Sequence, residues 1–484
     1  MILARRGFGV TVVEKEKQVG GRNAALHLKK FKFDTGPTFL MLKDILDEVF
    51  EEAGRHSDSY LDFVKLEPMY HLQFNDLTIS PTSRHEDMRA QIQKHFPGQE
   101  AGLDRYLQKE KKRFEHMYPC QQRDYATFGR FFSREFRRAL PYLALGRTLI
   151  GVLGDYFKPE KLRLAFTFQA KYLGMSPWEC PGAFSIISYI EHAFGIYHVQ
   201  GGLSEISEAM AEVVKEHGGK ILLGAKVRQL ILEGRAVRGV ELENGKKLLG
   251  DEVIINADFA QAMTHLVPPG VLRKYTPQGL QKRDYSCSTF MLYLGLDKLY
   301  KMPHHTIVFA QDYRTNVDDI FKRKKLSNDV SVYIRNASVT DPSLAPKGQS
   351  ALYVLVPVAN LSSGIDWAKE KDAFRAMVLK TITTKTPMKD LEKHIVVEKV
   401  ITPADWEADY NVFYGATFNL AHSLKQMLYF RPRNRFEELE HCYLTGGGTH
   451  PGSGLPTIYE SGRITANLIS RQHGVSFVSK NLVT

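Results

Sequence analysis

The residues best suited to bind a cofactor lie near the start of this 484-residue chain. Residues 10–13 form a short run rich in β-branched side chains, typical of a buried parallel strand, and Glu14 follows it. In a dinucleotide-binding fold, an acidic residue at the end of the second strand binds the adenosine ribose. Gly20, Gly21 and Arg22 come next and offer close backbone approach and a cation for a pyrophosphate. This spacing predicts a dinucleotide site.

A second candidate region lies near the other end of the chain, at 446–456, with the sequence GGGTHPGSGLP. It follows a strand-like run at 442–445 and precedes apolar residues at helical spacing. Glycines let the backbone approach a flat ligand closely, and Pro456 suits the first turn of a helix. The N-terminus of that helix would stabilise negative charge on a reduced isoalloxazine ring. The pattern therefore predicts that this loop contacts a flavin.

The hydrophobic pattern also indicates the elements that position these regions. Apolar residues at helical spacing predict one helix within 39–53 and another within 203–214. Asn244 and Gly245 predict a hairpin turn between strands. The predicted strands of this passage are 221–223, 227–232, 237–242 and 253–255. In a flavoprotein with two dinucleotide-binding motifs, the backbone of Val227 would lie near the adenine.

Ordered motifs extend along nearly the whole chain. They are TVVEKEKQVGGR (11–22), FDTGPT (33–38), QGGLSEI (200–206), DYSCSTFMLYLGLD (284–297), DPSLAPKG (341–348), LYVLVPV (352–358) and GGGTHPGSGLPTIYESGRIT (446–465). Together they resemble the bacterial phytoene and diapophytoene desaturases, which belong to the amine-oxidase-like flavoproteins. The resemblance implies FAD as cofactor and removal of hydrogen across carbon–carbon single bonds of a long, apolar isoprenoid polyene.

The resemblance also implies an α/β fold in two lobes. One would be a Rossmann-like FAD domain, assembled from residues 1–70, 196–262 and 436–484. The other would be an α+β substrate domain with a mixed or antiparallel sheet, built from 71–195 and 263–435. By the same resemblance the FAD-contacting residues would be Glu14, Gly20, Gly21, Arg22, Val227, Gly447, Gly448, Thr449, His450, Pro451 and Gly452.

One family feature is absent from the sequence. Dinucleotide folds of this kind begin with a strand and a GxGxxG turn, whose backbone N–H groups hold the pyrophosphate. No GxGxxG occurs anywhere in the chain. We therefore expect the first strand, the turn and most of the first helix to be missing, and we expect this to affect FAD affinity.

Composition and charge limit the other possibilities. The 65 Lys and Arg residues exceed the 54 Asp and Glu residues and leave a net charge of +11, which favours anionic surfaces. No zinc-finger spacing or RNA-binding signature occurs, so we expect neither nucleic acid nor a metal as a ligand. The four cysteines are far apart and form no CxxC pair, which suits a reducing compartment. We expect a cytoplasmic protein, because no long apolar run is present.

Membrane contact is predicted from one segment. Residues 125–157 mix aromatic side chains and leucines with several arginines. This mixture suits an interfacial helix whose apolar residues enter lipid while its arginines meet headgroups. An ordinary helical subdomain with a solvated basic face is the alternative. Since a long polyene dissolves only in membranes, we expect peripheral membrane association.

The catalytic residues are not identified by the sequence. No Ser/His/Asp triad, HExxH motif or acid–base pair is evident. Glu191 or Asp34 could accept the proton released during desaturation, but neither is assigned. Two other activities of the same scaffold, carotenoid oxygenation and isomerisation, stay open. So does a non-catalytic remnant that binds flavin or carotenoid, while a generic amine oxidase fits the ordered motifs less well.

Overall fold

The computed structural model describes residues 1–478, so positions 479–484 of the predicted FAD domain lie outside the described residues. The strands are β1 (Thr11–Val13), β2 (Ala25–Leu28), β3 (Phe31–Asp34), β4 (Phe63–Lys65), β5 (His71–Gln73), β6 (Thr78–Ile79), β7 (Tyr197–Val199), β8 (Lys220–Leu222), β9 (Val227–Glu233), β10 (Ala236–Leu242), β11 (Lys247–Leu249), β12 (Val253–Ile255), β13 (Ser288–Leu296), β14 (His305–Val308), β15 (Val332–Asn336), β16 (Ser350–Val358), β17 (Ile395–Ile401) and β18 (Cys442–Leu444).

Helices cover much of the remaining chain. They are α1 (Ile2–Arg5), α2 (Lys43–Glu52), α3 (His85–His95), α4 (Glu100–Gln121), α5 (Arg134–Ala139), α6 (Leu149–Leu153), α7 (Glu160–Ala165), α8 (Ile186–Phe194), α9 (Ser204–Glu216), α10 (Phe259–His265), α11 (Pro277–Gln281), α12 (Tyr313–Asp318), α13 (Trp367–Lys385), α14 (Pro403–Ala408) and α15 (Leu455–Gln472). Each helix within residues 1–478 is too short or too polar to cross a membrane.

Two pairs of parallel strands form the Rossmann-like part. β1 pairs with β8, and β12 pairs with β18, both in parallel. No strand of the described residues joins the two pairs, so this sheet is present in two separate pieces. The strands β9, β10 and β11 form an antiparallel sheet beside them. The predicted combination of helices with a parallel sheet is confirmed.

The second lobe is built on a seven-stranded sheet with the order β17-β13-β16-β15-β14-β5-β6. Its pairs are antiparallel except that of β14 with β5, so the predicted mixed sheet is confirmed. Every residue of β13 is buried, because both faces of this strand are covered. Phe290 and Leu292 pack towards Trp367 of α13, whereas Tyr293 packs towards Phe33 of β3. The alternation follows from the two-residue period of a strand.

Residues 125–157 do not form one long helix. They contain α5, α6 and two short 3-10 helices, Phe128–Phe132 and Leu140–Tyr142. Ala144 and Gly146 adopt left-handed backbone angles, with φ of 48° and 74°, so a continuous helix cannot pass through them. Phe132 is 70% exposed and Leu145 is 59% exposed. The segment therefore presents large apolar side chains to solvent from short helical pieces.

A buried ion pair connects the two lobes. Asp34 ends β3, Arg335 lies in β15, and the Arg335 Nη1 and Asp34 Oδ2 atoms are 2.9 Å apart. Asp34 Oδ1 also accepts a hydrogen bond of 3.0 Å from the Ser204 N–H at the start of α9. Arg335 Nη2 donates to His198 Nδ1, and His198 Nε2 donates to Asp341 at 2.9 Å. We call Asp34, Ser204, Arg335, His198 and Asp341 the lobe clamp.

All four cysteines are buried. Burial raises the pKa of the Cys120 thiol, and it raises the pKa of Cys442 to about 12. Burial raises the pKa of Cys180 as well. These thiols therefore stay protonated at neutral pH.

Replacing Asp34 with Asn should destabilise the protein strongly, because Arg335 would keep a buried charge without its carboxylate. Breaking one side of a buried pair costs about 3–5 kcal/mol. Lys369→Ala is the matched control, since the Lys369 side chain is 81% exposed in its pair with Asp366 and its loss should cost less than about 1 kcal/mol. The midpoint of urea unfolding measures both. Equal midpoints for the two variants would contradict the clamp.

Candidate cofactor site

Glu14 and Val227 are brought together at the end of β1. The Glu14 N–H donates to the Leu222 carbonyl at 2.9 Å, which continues the pairing of β1 with β8. The Ala225 N–H donates to the Glu14 carbonyl at 2.8 Å and so draws the chain that enters β9 towards Glu14. Val227 is the first residue of β9 and is half-buried. The Glu14 side chain accepts a hydrogen bond of 2.9 Å from the Glu16 N–H.

Gly20, Gly21 and Arg22 form a tight turn before β2. Gly20 has a φ of 108°, and a Cβ there would lie 2.9 Å from the Ala24 nitrogen, so only glycine fits. Gly21 also has a positive φ, of 54°. Arg22 Nη1 donates to the Thr417 carbonyl at 2.7 Å, so this turn contacts a segment that is distant in sequence.

The loop 446–452 connects β18 to α15. A Cβ on Gly448 would lie 2.5 Å from Phe259 Cβ, and one on Gly447 would lie 2.8 Å from Ser453 Oγ. Gly452 has a φ of 145°, and its Cβ would lie 2.7 Å from His422 Nε2. The backbone is therefore closely packed from behind at all three glycines. We call 446–452 the glycine loop.

Thr449, His450 and Pro451 of the glycine loop are buried. The Thr449 hydroxyl donates to the Pro432 carbonyl, and Pro451 follows in a buried position. His450 packs the edge of its ring against Tyr125, with ring centroids 5.1 Å apart. Burial lowers the pKa of His450 to about 3, and the charge of Arg431 acts in the same direction. His450 is therefore neutral.

The sequence matches a known family over most of its length. Residues 2–470 match the family described as flavin containing amine oxidoreductase. The chain belongs to the flavin-containing amine oxidoreductases. The fold agrees, because an oxidoreductase structure from Methanosarcina mazei superimposes with a TM-score of 0.62 at 15% identity, covering 97% of each chain. A putrescine oxidase mutant gives 0.61 at 12% identity, over 97% of this chain and 95% of that one.

Curated relatives narrow the family further. The chain is 55% identical over 477 residues to "4,4'-diapophytoene desaturase (4,4'-diapolycopene-forming)" from Methylomonas sp, covering 99% of this chain and 93% of the relative. It is 37% identical to "All-trans-zeta-carotene desaturase" from Myxococcus xanthus, covering 98% and 90%. This flavin-containing oxidoreductase therefore belongs with the phytoene and diapophytoene desaturases, and FAD is its cofactor.

The residues present fit a flavin nucleotide. The glycine loop has no side chain of its own at Gly446, Gly447, Gly448 and Gly452, and α15 begins just after it, with Gly454 as the residue before its first turn. Asn23 Oδ1 and Thr417 Oγ1 are buried without hydrogen-bond partners in residues 1–478. Asn23 is the residue after Arg22, and Thr417 is the residue whose carbonyl accepts from Arg22. Unpaired buried polar atoms next to a cation favour a polar ligand. The described residues contain no cluster able to hold a metal ion.

Two residues that sequence reasoning missed support the glycine loop. His422 Nδ1 donates to the Leu173 carbonyl at 3.2 Å, and its Nε2 accepts from the Ser453 N–H at 3.0 Å. Burial, followed by the charge of Arg431, lowers the pKa of His422 to about 3, so this tautomer is neutral. Arg431 donates to the carbonyls of Gly447 and Thr449. Neither residue lies in a periodic or glycine-rich pattern, so the sequence carried no signal that would have identified them.

The two candidate proton acceptors have different surroundings. Asp34 is held in the lobe clamp by Arg335. Glu191 is completely buried in α8 and accepts hydrogen bonds of 2.7 Å from the Tyr70 hydroxyl and from Gln169 Nε2. Glu191 Oε1 has no hydrogen-bond partner in the described residues. Burial raises the pKa of Glu191 to about 8, so this carboxyl is mostly protonated at neutral pH.

Replacing Glu191 with Gln should reduce the pH dependence of stability. A carboxyl whose pKa is about 4.3 when unfolded and higher when folded stabilises the folded state at low pH, and this contribution falls as pH rises from about 4 to about 8. Glutamine keeps the shape but does not titrate. The loss of melting temperature between pH 5 and pH 8 should therefore be smaller in E191Q than in the wild type. Glu86→Gln is the control, since the Glu86 side chain is 89% exposed, and it should retain the wild-type slope.

Proposed function

We propose that the chain is an FAD-dependent desaturase of a linear, thirty-carbon isoprenoid precursor of the 4,4'-diapophytoene type. The observation that carries this proposal is the 55% identity, over 99% of this chain, to a 4,4'-diapophytoene desaturase. The zeta-carotene desaturase is less similar, at 37%. The comparison therefore favours the thirty-carbon substrate over the longer one.

We assign the predicted residues to parts of FAD. Glu14 would bind the ribose, Val227 the adenine, and Arg22 with its two preceding glycines the pyrophosphate. The hydrogen bond from the Ala225 N–H to the Glu14 carbonyl supports the first two assignments, because it brings Glu14 and the start of β9 at Val227 to the same end of β1. The glycine loop, residues Gly447, Gly448, Thr449, His450, Pro451 and Gly452, would hold the isoalloxazine.

The side chains around Glu191 suit a hydrocarbon substrate. Tyr70 packs against Phe168 with ring centroids 4.8 Å apart and against Phe39 at 6.3 Å. Phe39 in turn stacks on His305 at 4.2 Å, and burial lowers the pKa of His305, so that ring is neutral. Aromatic side chains of this kind would exclude water and bind a polyene through apolar burial. When bound, FAD supplies the chemistry by accepting a hydride from the substrate.

Desaturation can be tested from the mass and spectrum of the product. The purified chain with FAD, given 4,4'-diapophytoene in liposomes, should yield products that lose two hydrogens per step and absorb at longer wavelength. Gly448→Ala is the control variant; its added Cβ would lie 2.5 Å from Phe259 and displace the glycine loop, so its rate should fall at least about tenfold. A gain of oxygen, or a product of unchanged mass, would sink the desaturase proposal in favour of an oxygenase or isomerase.

We also propose that the protein docks on a membrane surface. Phe128, Phe132 and Phe430 are 55%, 70% and 48% exposed. Phe128 lies 5.9 Å from the Tyr429 ring, and Tyr429 contacts Phe430, so these residues form one surface, which we call the interfacial patch. The exposed arginines of the adjacent α5 would meet anionic headgroups. They are Arg134, Arg137 and Arg138.

Replacing Phe128 and Phe132 with Ser should weaken membrane binding at least about tenfold, since a buried phenylalanine contributes about 1.5–3 kcal/mol. Co-sedimentation with anionic liposomes at low salt measures the effect. Leu249→Ser is the control, because Leu249 is 77% exposed but lies on β11, and it should bind as the wild type does. Unchanged sedimentation of the double variant would rule out this patch.

A further inference from the structure

Arg431 is a buried arginine whose hydrogen bonds go to backbone. It is 0% exposed and ranks among the largest fully buried side chains. Its guanidinium donates to backbone carbonyl oxygens at 2.6–3.5 Å. These acceptors are the carbonyls of Leu420, Ala421, Gln426, Gly447 and Thr449. No carboxylate forms an ion pair with Arg431 in residues 1–478, so carbonyl dipoles stabilise its positive charge but no negative charge neutralises it.

The charge of Arg431 persists despite burial. Burial, followed by repulsion from Arg283, lowers the pKa of Arg431 to about 9, which leaves the guanidinium protonated at neutral pH. The nearby histidines cannot share the charge, because His422 and His450 are neutral. Buried charges in proteins are ordinarily paired, since an unpaired one is costly. An unbalanced cation at this place therefore favours a negative group nearby.

The position of Arg431 identifies that group. Two of its hydrogen bonds, to Gly447 and Thr449, hold the glycine loop from behind. The N-terminus of α15 follows the same loop and adds a partial positive charge. Arg431 and the N-terminus of α15 would therefore both stabilise negative charge on a ligand held at the glycine loop. A flavin gains negative charge when it is reduced, whereas the other parts of FAD keep their charge.

We infer that Arg431 supplies the positive charge that balances the negative charge of the reduced flavin. Arg431 acts through the glycine loop and is a positioning residue that also sets the ease of flavin reduction. The inference rests on the proposed place of the isoalloxazine at the glycine loop, but it does not depend on which polyene is the substrate. It can therefore fail while the desaturase proposal stands.

The flavin midpoint potential of the holoenzyme tests this inference without measuring activity. Arg431→Met removes the charge and Arg431→Lys keeps it, while both lose hydrogen bonds. The equilibrium between oxidised and reduced flavin should shift towards the oxidised form by about tenfold in R431M, which is about 30 mV for a two-electron couple. R431K should stay close to the wild type. Equal shifts in both variants, or none in R431M, would overturn the inference and leave Arg431 as a purely structural residue.

A second variant keeps the arginine in place, in case R431M does not fold. Gln426 Nε2 and Arg431 Nη1 donate to the same carbonyl, that of Ala421, so the two side chains are neighbours. Gln426→Glu would place a carboxylate beside the guanidinium and should lower the potential as R431M does. Gln426→Met loses the same amide hydrogen bonds without adding charge and should not. A Q426E potential equal to that of Q426M contradicts the inference, as does a wild-type chain that binds no flavin.

Discussion

The buried pairing of Asp34 with Arg335 joins β3 to the seven-stranded sheet of the second lobe. Asp34 ends β3, and Arg335 lies in β15 within the seven-stranded sheet. Through Ser204 the same carboxylate fixes the start of α9, which returns the chain to the Rossmann-like part. This buried charge pair therefore joins β3, α9 and the seven-stranded sheet at one carboxylate.

A common feature of the predicted cofactor region is its close-packed glycine backbone. The glycine loop and the turn at Gly20 are packed so closely from behind that added Cβ atoms would clash. Arg431 and His422 then anchor this backbone through carbonyl and amide groups. Because His422 and His450 are neutral, Arg431 is the charged side chain that contacts the glycine loop.

Much of the fold could be predicted from local patterns. The strand predicted at 253–255 is observed as β12 with the same bounds, and the strand predicted at 221–223 is shifted by one residue in β8. Segment 125–157 differs, because Pro141 and the left-handed Ala144 and Gly146 interrupt the interfacial helix that its composition predicts. Arg431 could not be predicted, since its partners are backbone atoms of loops without a period. The domain limits and the FAD contacts stay predictions.

The burial of the four cysteines has a practical consequence. Buried thiols react slowly with maleimides and similar reagents, because the reagent cannot reach the sulfur. A cysteine introduced on the solvent-facing surface would therefore be labelled selectively without first removing the native ones. An environment-sensitive fluorophore attached beside Phe132 could then report, by its change in emission, whether that surface leaves water when lipid is added.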